Sequence, residues 1–204
     1  MIYGVNSKGH SMVIQIKRTP FINNENKKLV HYCYDFKLDT EGSGNTYEAT
    51  ESGVVIDNYD NDDKQNNYYQ FAGLSIEVIE PFRTIRIKFR GYLKNSNNNK
   101  LIFTRIRMLW AANSKVYDFQ NDFNLSFLSN ELSSNESSKI TKYHILKDRY
   151  AQSGHMRGII QFESEPEKEI YLWGCRNKEI IGERSNDEIR LTRLMGYSKV
   201  IDYC

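Results

Sequence analysis

Ile85-Arg86-Ile87-Lys88-Phe89-Arg90 and, a few residues on, Ile102-Phe103-Thr104-Arg105-Ile106-Arg107-Met108-Leu109-Trp110 decide the fold class. In both runs large apolar side chains take every second position, save for Thr104 in the second. In the first the positions between hold Arg86, Lys88 and Arg90, and in the second they include Arg105 and Arg107. A period of two is that of a half-buried strand with one face on a core and one in water.

The same pattern extends outward from these runs. Leu74, Ile76 and Val78 precede the first one across Pro81, which marks a corner because proline cannot donate to a ladder. Met12, Ile14 and Ile16 share a face, and Tyr32, Tyr34, Phe36 and Leu38 alternate with His31, Cys33, Asp35 and Lys37. Strand patterns return at Ile159 to Phe162 and at Ile170 to Cys175, joined by a turn around Pro166. Asn95 to Asn99 and Asp57 to Asn67 read as polar turns. After Asn124 the period changes. Leu125, Leu128 and Leu132 predict a helix with Asn124 as N-cap, and Ile140, Tyr143, Leu146 and Tyr150 predict a second, with Gly154 just past its end. At least seven strands and one short helical insertion predict an all-β, mainly antiparallel protein. A barrel is preferred over a sandwich because closure removes exposed edges.

A chain of 204 residues supports one good-sized core, and no linker rich in Pro, Gly or Ser interrupts it. Lys and Arg number 28 against 26 Asp and Glu, so the chain as a whole lacks the basic excess of a nucleic-acid binder, and no nucleic-acid partner is expected. Cys33, Cys175 and Cys204 fit neither a disulfide framework nor a metal-binding pair. With no secretory signal in Met1 to Lys8 and no segment long enough to span a bilayer, the expectation is a cytoplasmic protein. The tripeptides Asn124-Leu125-Ser126 and Asn135-Glu136-Ser137 are read as chance matches in an Asn-rich chain.

Several separated motifs, in order, carry a family resemblance. Phe71-Ala72-Gly73-Leu74, Glu80-Pro81-Phe82-Arg83, Phe89-Arg90-Gly91-Tyr92-Leu93, Leu109-Trp110-Ala111-Ala112 and Tyr117 to Phe123 resemble the N-terminal region of arthropod phosphoenolpyruvate synthase-like proteins. Arg149-Tyr150-Ala151-Gln152-Ser153-Gly154 and Gly174-Cys175-Arg176, followed by Gly182, resemble motifs of the AttH and carotenoid hydratase group. The resemblance covers roughly residues 3 to 195 and implies a lipocalin-like β-barrel over 1–186. Residues 187–204 would then begin a truncated second half or a C-terminal extension. It implies no phosphoryl transfer. No phosphate-binding loop is present, and Gly42-Ser43-Gly44 lacks the strand-loop-helix setting of one. Where the hydratase group carries an Asp-His pair, Asn177 and Lys178 stand here, so the proton-transfer residues are missing and no catalytic residue is assigned.

Glu179 and His155 are the two titratable residues in a position to replace that pair; His10, His31 and His144 are read as structural or solvated. No metal or cofactor is expected from the spacing of histidines and cysteines. An eight-stranded barrel has room for one small ligand, and the residues predicted to line it are Trp110, Trp173, Tyr34, Phe89 and Tyr171, with Tyr32 beside them. Arg105 and Arg107 join them if they point inward, where they would neutralise a carboxylate; a solvated strand face is the competing reading. The functional expectation is a non-catalytic domain that binds a small apolar or amphipathic ligand or docks on a partner domain. Two alternatives are an isoprenoid hydratase or cyclase-like enzyme with a degenerate site, and a truncated accessory module of a phosphoenolpyruvate synthase-like protein. The latter would self-associate or pair through 187–204, where Ile189, Leu191, Leu194 and Met195 form an apolar stripe.

Overall fold

The computed structural model describes residues 1–22, 28–40, 44–56, 68–118, 121–122 and 149–179. The expected helix over 125–132, the part of the second expected helix up to residue 148, the turn at 57–67, His144, Cys204 and the segment 187–204 lie outside the described residues, as does the boundary at 186.

The described residues form β1 (Ile2–Val5), β2 (Ser11–Ile22), β3 (Lys28–Asp39), β4 (Thr46–Ile56), β5 (Tyr68–Phe71), β6 (Leu74–Glu80), β7 (Thr84–Asn95), β8 (Leu101–Ala112), β9 (Tyr117–Asp118), β10 (Arg149–Phe162) and β11 (Lys168–Glu179). The order β4-β3-β2-β1-β11-β10-β8-β7 closes into an eight-stranded antiparallel barrel when the end of β7 meets β4, through Asn95 opposite Tyr47 and Lys94 opposite Glu48. The first half of β7 is instead edged by β6, with β5 beyond it. The all-β barrel expected from alternation is therefore the fold. The chain divides into two compact units, Met1–Lys115 with Gln152–Arg176 and Val116–Ala151 with Asn177–Cys204. The first contains the barrel. In the second, β9 pairs with the start of β10 through Asp118 opposite Tyr150 and Tyr117 opposite Ala151.

Strand parity sets the core. Met12, Ile14, Phe36, Leu38, Ile87, Phe89, Ile106, Met108, Trp110, Met156, Ile160 and Leu172 are all buried inside the barrel, with the Phe36 and Phe89 rings stacked at 5.2 Å. The alternate residues of the same strands face solvent. Four strands escaped the sequence reading. On β4 the parity of Tyr47 continues through Ala49, Glu51 and Gly53, too weak an apolar alternation to stand out, and β1, β5 and β9 have only four, four and two residues. A further difference concerns Tyr150 and Gly154. Both lie within β10, not in a helix and its cap, because pairing with β8 and β9 overrides a local helical spacing. Gly154 opposes Ala112 in the ladder, and a Cβ there would stand 2.5 Å from both the Ala111 carbonyl oxygen and the Trp110 ring. The glycine clears space for the tryptophan.

The β5–β6 hairpin turns on Ala72 and Gly73, both at positive φ (44° and 86°), the combination that matches the twist of a two-residue hairpin. It is tied to the barrel by the Tyr34 hydroxyl, which donates to the Ala72 carbonyl oxygen at 2.9 Å. Phe71 and Tyr69 of the hairpin contact Tyr32, and Phe71 also meets Tyr34 edge-on. Burial, aided by the nearby Glu51 charge, pushes the Tyr34 hydroxyl up to about 12 from its usual 10, and burial raises Tyr69 as well. Raised values mean that the folded state favours the protonated phenols. Their contribution is complete below pH 10, where the unfolded chain is also protonated, and is lost as pH climbs through the folded value. Stability is therefore expected to fall between pH 10 and 12. Tyr34 accounts for about 2–3 kcal/mol of the loss at 1.36 kcal/mol per unit. Tyrosinate absorbance followed beside circular dichroism checks it: these phenols should ionise only as the strands melt.

Candidate functional site

At the barrel end formed by the β6–β7 corner and the close of β8, three elements converge on a buried guanidinium. Arg176 of β11 is 6% exposed and lies over the Trp110 ring at 5.3 Å and the Phe82 ring at 5.7 Å. Phe82 follows Pro81 in the corner with φ of +59°, a backbone region that a bulky residue rarely enters. Gln152 of β10 holds that strained turn. Its side-chain amide donates to the Phe82 carbonyl at 2.7 Å and to the Ser114 carbonyl at 2.9 Å, joining two corners of the barrel. The Trp110 indole nitrogen and the Gln152 amide oxygen are buried with no hydrogen-bond partner among the described residues. Such atoms are usually met by ordered water. This cluster closes the core and stiffens the corners.

On the opposite, outward parity of β10 and β11 stands an open aromatic group. His155 stacks on Tyr171 with ring centroids 5.4 Å apart and meets Trp173 at 5.6 Å, while Tyr171 and Trp173 touch edge-to-face at 5.3 Å. Tyr171 is 38% exposed and Trp173 36%. Its geometry is fixed from two sides: His155 Nδ1 and Asn113 Oδ1 are 2.8 Å apart, and Asn6 donates to the Tyr171 carbonyl at 3.1 Å. Val5, itself exposed, opposes Trp173 across the β1–β11 ladder. Ordered aromatic rings left in solvent are the kind of surface that partners use.

Beside it, the outer faces of β7, β8 and β10 form a groove of about 340 Å³ whose lining includes Lys88, Arg90, Arg105, Arg107, Ile159, Gln161 and Glu167. Register places Lys88 directly opposite Arg107 and Arg90 directly opposite Arg105. Facing like charges destabilise a ladder. Arg107 is offset by Glu167 at 2.8 Å, with both side chains largely exposed, and Arg105 rests over Phe103 at 5.5 Å. Lys88 and Arg90 have no acidic partner among the described residues.

The predicted site residues thus separate into two groups. Tyr34, Phe89 and Trp110 face the interior, where each packs tightly, at 1%, 2% and 0% exposure. Tyr171, Trp173, Arg105, Arg107 and His155 face outward. Glu179 is the last residue of β11, and its side chain lies outside the described residues. No group of three or more His, Cys, Asp or Glu is gathered as for a metal ion among the described residues, and no described helix is long and apolar enough to cross a membrane. Gln152 and Arg176 carried no assigned role in the sequence reading. Their signal was parity: each falls on the inward side of its strand, where a polar residue is out of place. Compared with known protein families, curated proteins and solved structures, the chain matches none.

Proposed function

We propose that the chain is a non-catalytic binding module that acts through its outer surface, centred on the aromatic group of β10 and β11, rather than through a hollow interior. The observation that carries this reading is the exposed His155–Tyr171–Trp173 group, held in place by Asn113 and Asn6. The interior argues the same way, since Trp110, Tyr34, Phe36, Met12 and Met156 fill the positions where a ligand would sit. Kinship with the lipocalin-like domains of the AttH and carotenoid hydratase group is part of the proposal. It is supported by the meeting of Gln152 and Arg176, one from each quoted motif, around Trp110 and Phe82. A hydratase reading requires His155 beside an enclosed substrate, and its outward stacking on Tyr171 gives that reading no support.

Native mass spectrometry of the purified protein, followed by organic extraction, tests the proposal. The expected spectrum contains no small molecule at one-to-one stoichiometry; a retained lipid or isoprenoid would overturn the outer-surface reading in favour of a ligand-filled barrel. A companion result is expected for Trp173→Ala. With its ring half open, the change in stability should stay within about 1 kcal/mol, measured by urea denaturation, because only ring-edge contacts are lost.

A further inference from the structure

We infer that the outer face of β7, β8, β10 and β11 binds single-stranded nucleic acid, an inference that rests on the outer-surface reading above and names its partner. Two observations made on different strands point to it. Lys88, Arg90, Arg105 and Arg107 face one another in two cross-strand pairs along a concave groove. That arrangement raises self-repulsion in the free protein and is relieved by an anion lying between the strands. Successive pairs are one strand repeat apart, close to the spacing of neighbouring phosphates in an extended strand. A single compact anion would use one pair; a chain of phosphates uses both.

The second observation is the stacking platform on the same outer face. β10 separates β8 from β11 in the sheet, and it carries Arg157 and His155 outward, so cations give way to rings over the width of two strands. Bases that leave the backbone on the basic side reach Tyr171 and Trp173, and stacking on aromatic rings tolerates any sequence. Rings and cations side by side favour this occupant over an acidic peptide, which supplies charge without flat partners for the rings. A duplex hides its bases and is likewise disfavoured. The near balance of charge over the whole chain conceals the feature: Asp35 and Asp39 lie on β3, which pairs with none of the basic strands, whereas Glu48 of β4 meets Lys94 of β7 beyond Arg90, and Glu167 at the groove offsets Arg107 alone.

Fluorescence anisotropy of labelled mixed-sequence RNA and DNA single strands of about fifteen nucleotides, with an oligoaspartate of the same length as comparison, tests the inference. Binding is expected for the nucleic acids, falling with salt at a log-log slope near −3 for four neutralised phosphates. Arg90→Ala with Arg105→Ala should weaken it about tenfold or more and reduce the slope by about 1.4, while Arg90→Lys with Arg105→Lys retains most of it. Trp173→Ala should weaken it about tenfold with the slope unchanged. Circular dichroism of each variant verifies the fold. Absence of salt-dependent binding overturns the inference, as does oligoaspartate binding equally well and indifferent to Trp173→Ala. The second result would leave the outer-surface reading standing, whereas that reading fails separately if extraction yields an enclosed small molecule.

Discussion

Trp110→Ala is expected to remove about 3–5 kcal/mol of stability, the range for deleting a large buried aromatic. The ring is fully enclosed, opposes Met156 and Ile85 in its two ladders, and fills the space left by Gly154. Its loss opens a cavity that the neighbouring strands cannot collapse into, since closure fixes their spacing. It also strips the Arg176 guanidinium of its larger ring partner. Against a typical total of about 5–15 kcal/mol, this lies close to the threshold of unfolding. Urea denaturation followed by circular dichroism measures it, and a loss under about 1 kcal/mol would mean that the barrel end is loosely packed. Trp110→Phe should recover roughly half, because a ring remains beneath Arg176.

Gln152→Leu is the second large effect. Leucine keeps much of the side-chain volume but leaves the Phe82 and Ser114 carbonyls without the amide that both accept from. Phe82 and Ser114 are exposed residues whose bonds to Gln152 are only partly buried, so water can reach the freed carbonyls and the loss is about 1–3 kcal/mol, the sum of two ordinary hydrogen bonds. The Phe82 corner should respond locally too, because its left-handed backbone persists only while its surroundings hold it. Hydrogen exchange separates the two consequences: amides around the β6–β7 corner should lose protection well before those of β2 and β3. Uniform loss across the barrel would show that Gln152 contributes packing rather than a staple. Gln152→Glu is a sharper variant, since a carboxylate at this position donates to neither carbonyl and also buries a charge.

Much of the barrel was legible in the sequence for one reason. A strand with one dry face must alternate, and Ile85 to Phe89 and Tyr34 to Leu38 do so without interruption, while Ile102 to Trp110 does so with Thr104 at one inward position. The corner at Pro81 was equally readable, because proline has no amide to give. β4 was not, since its inward residues include Ala49 and Gly53, and the burial of those positions depends on what packs across from them. Tyr150 was misplaced for a related reason: a spacing that suits a helix in isolation was overridden by partners far along the chain, Asp118 on β9 and the ladder to β8.

The candidate site divides along the same line. Parity alone assigned Arg105 and Arg107 to the face opposite Met108 and Trp110, and placed Arg86, Lys88 and Arg90 opposite Ile87 and Phe89. Which cations meet across a ladder is set by register, and register follows from closure of the whole barrel; no local pattern puts Lys88 against Arg107 or Arg90 against Arg105. The aromatic group likewise joins β10 to β11 and takes its hydrogen bonds from Asn113 and Asn6, residues that sequence distance separates widely. Alternation, a property of neighbours in the chain, determined the fold class and the solvent face of β7 and β8, whereas Tyr171 and Trp173, expected to line the interior, turn outward because Ile170 and Leu172 take the inward positions of β11. The pairing of distant strands, fixed only when the sheet closes on itself, decided which of those outward residues stand together, and so where this protein can bind.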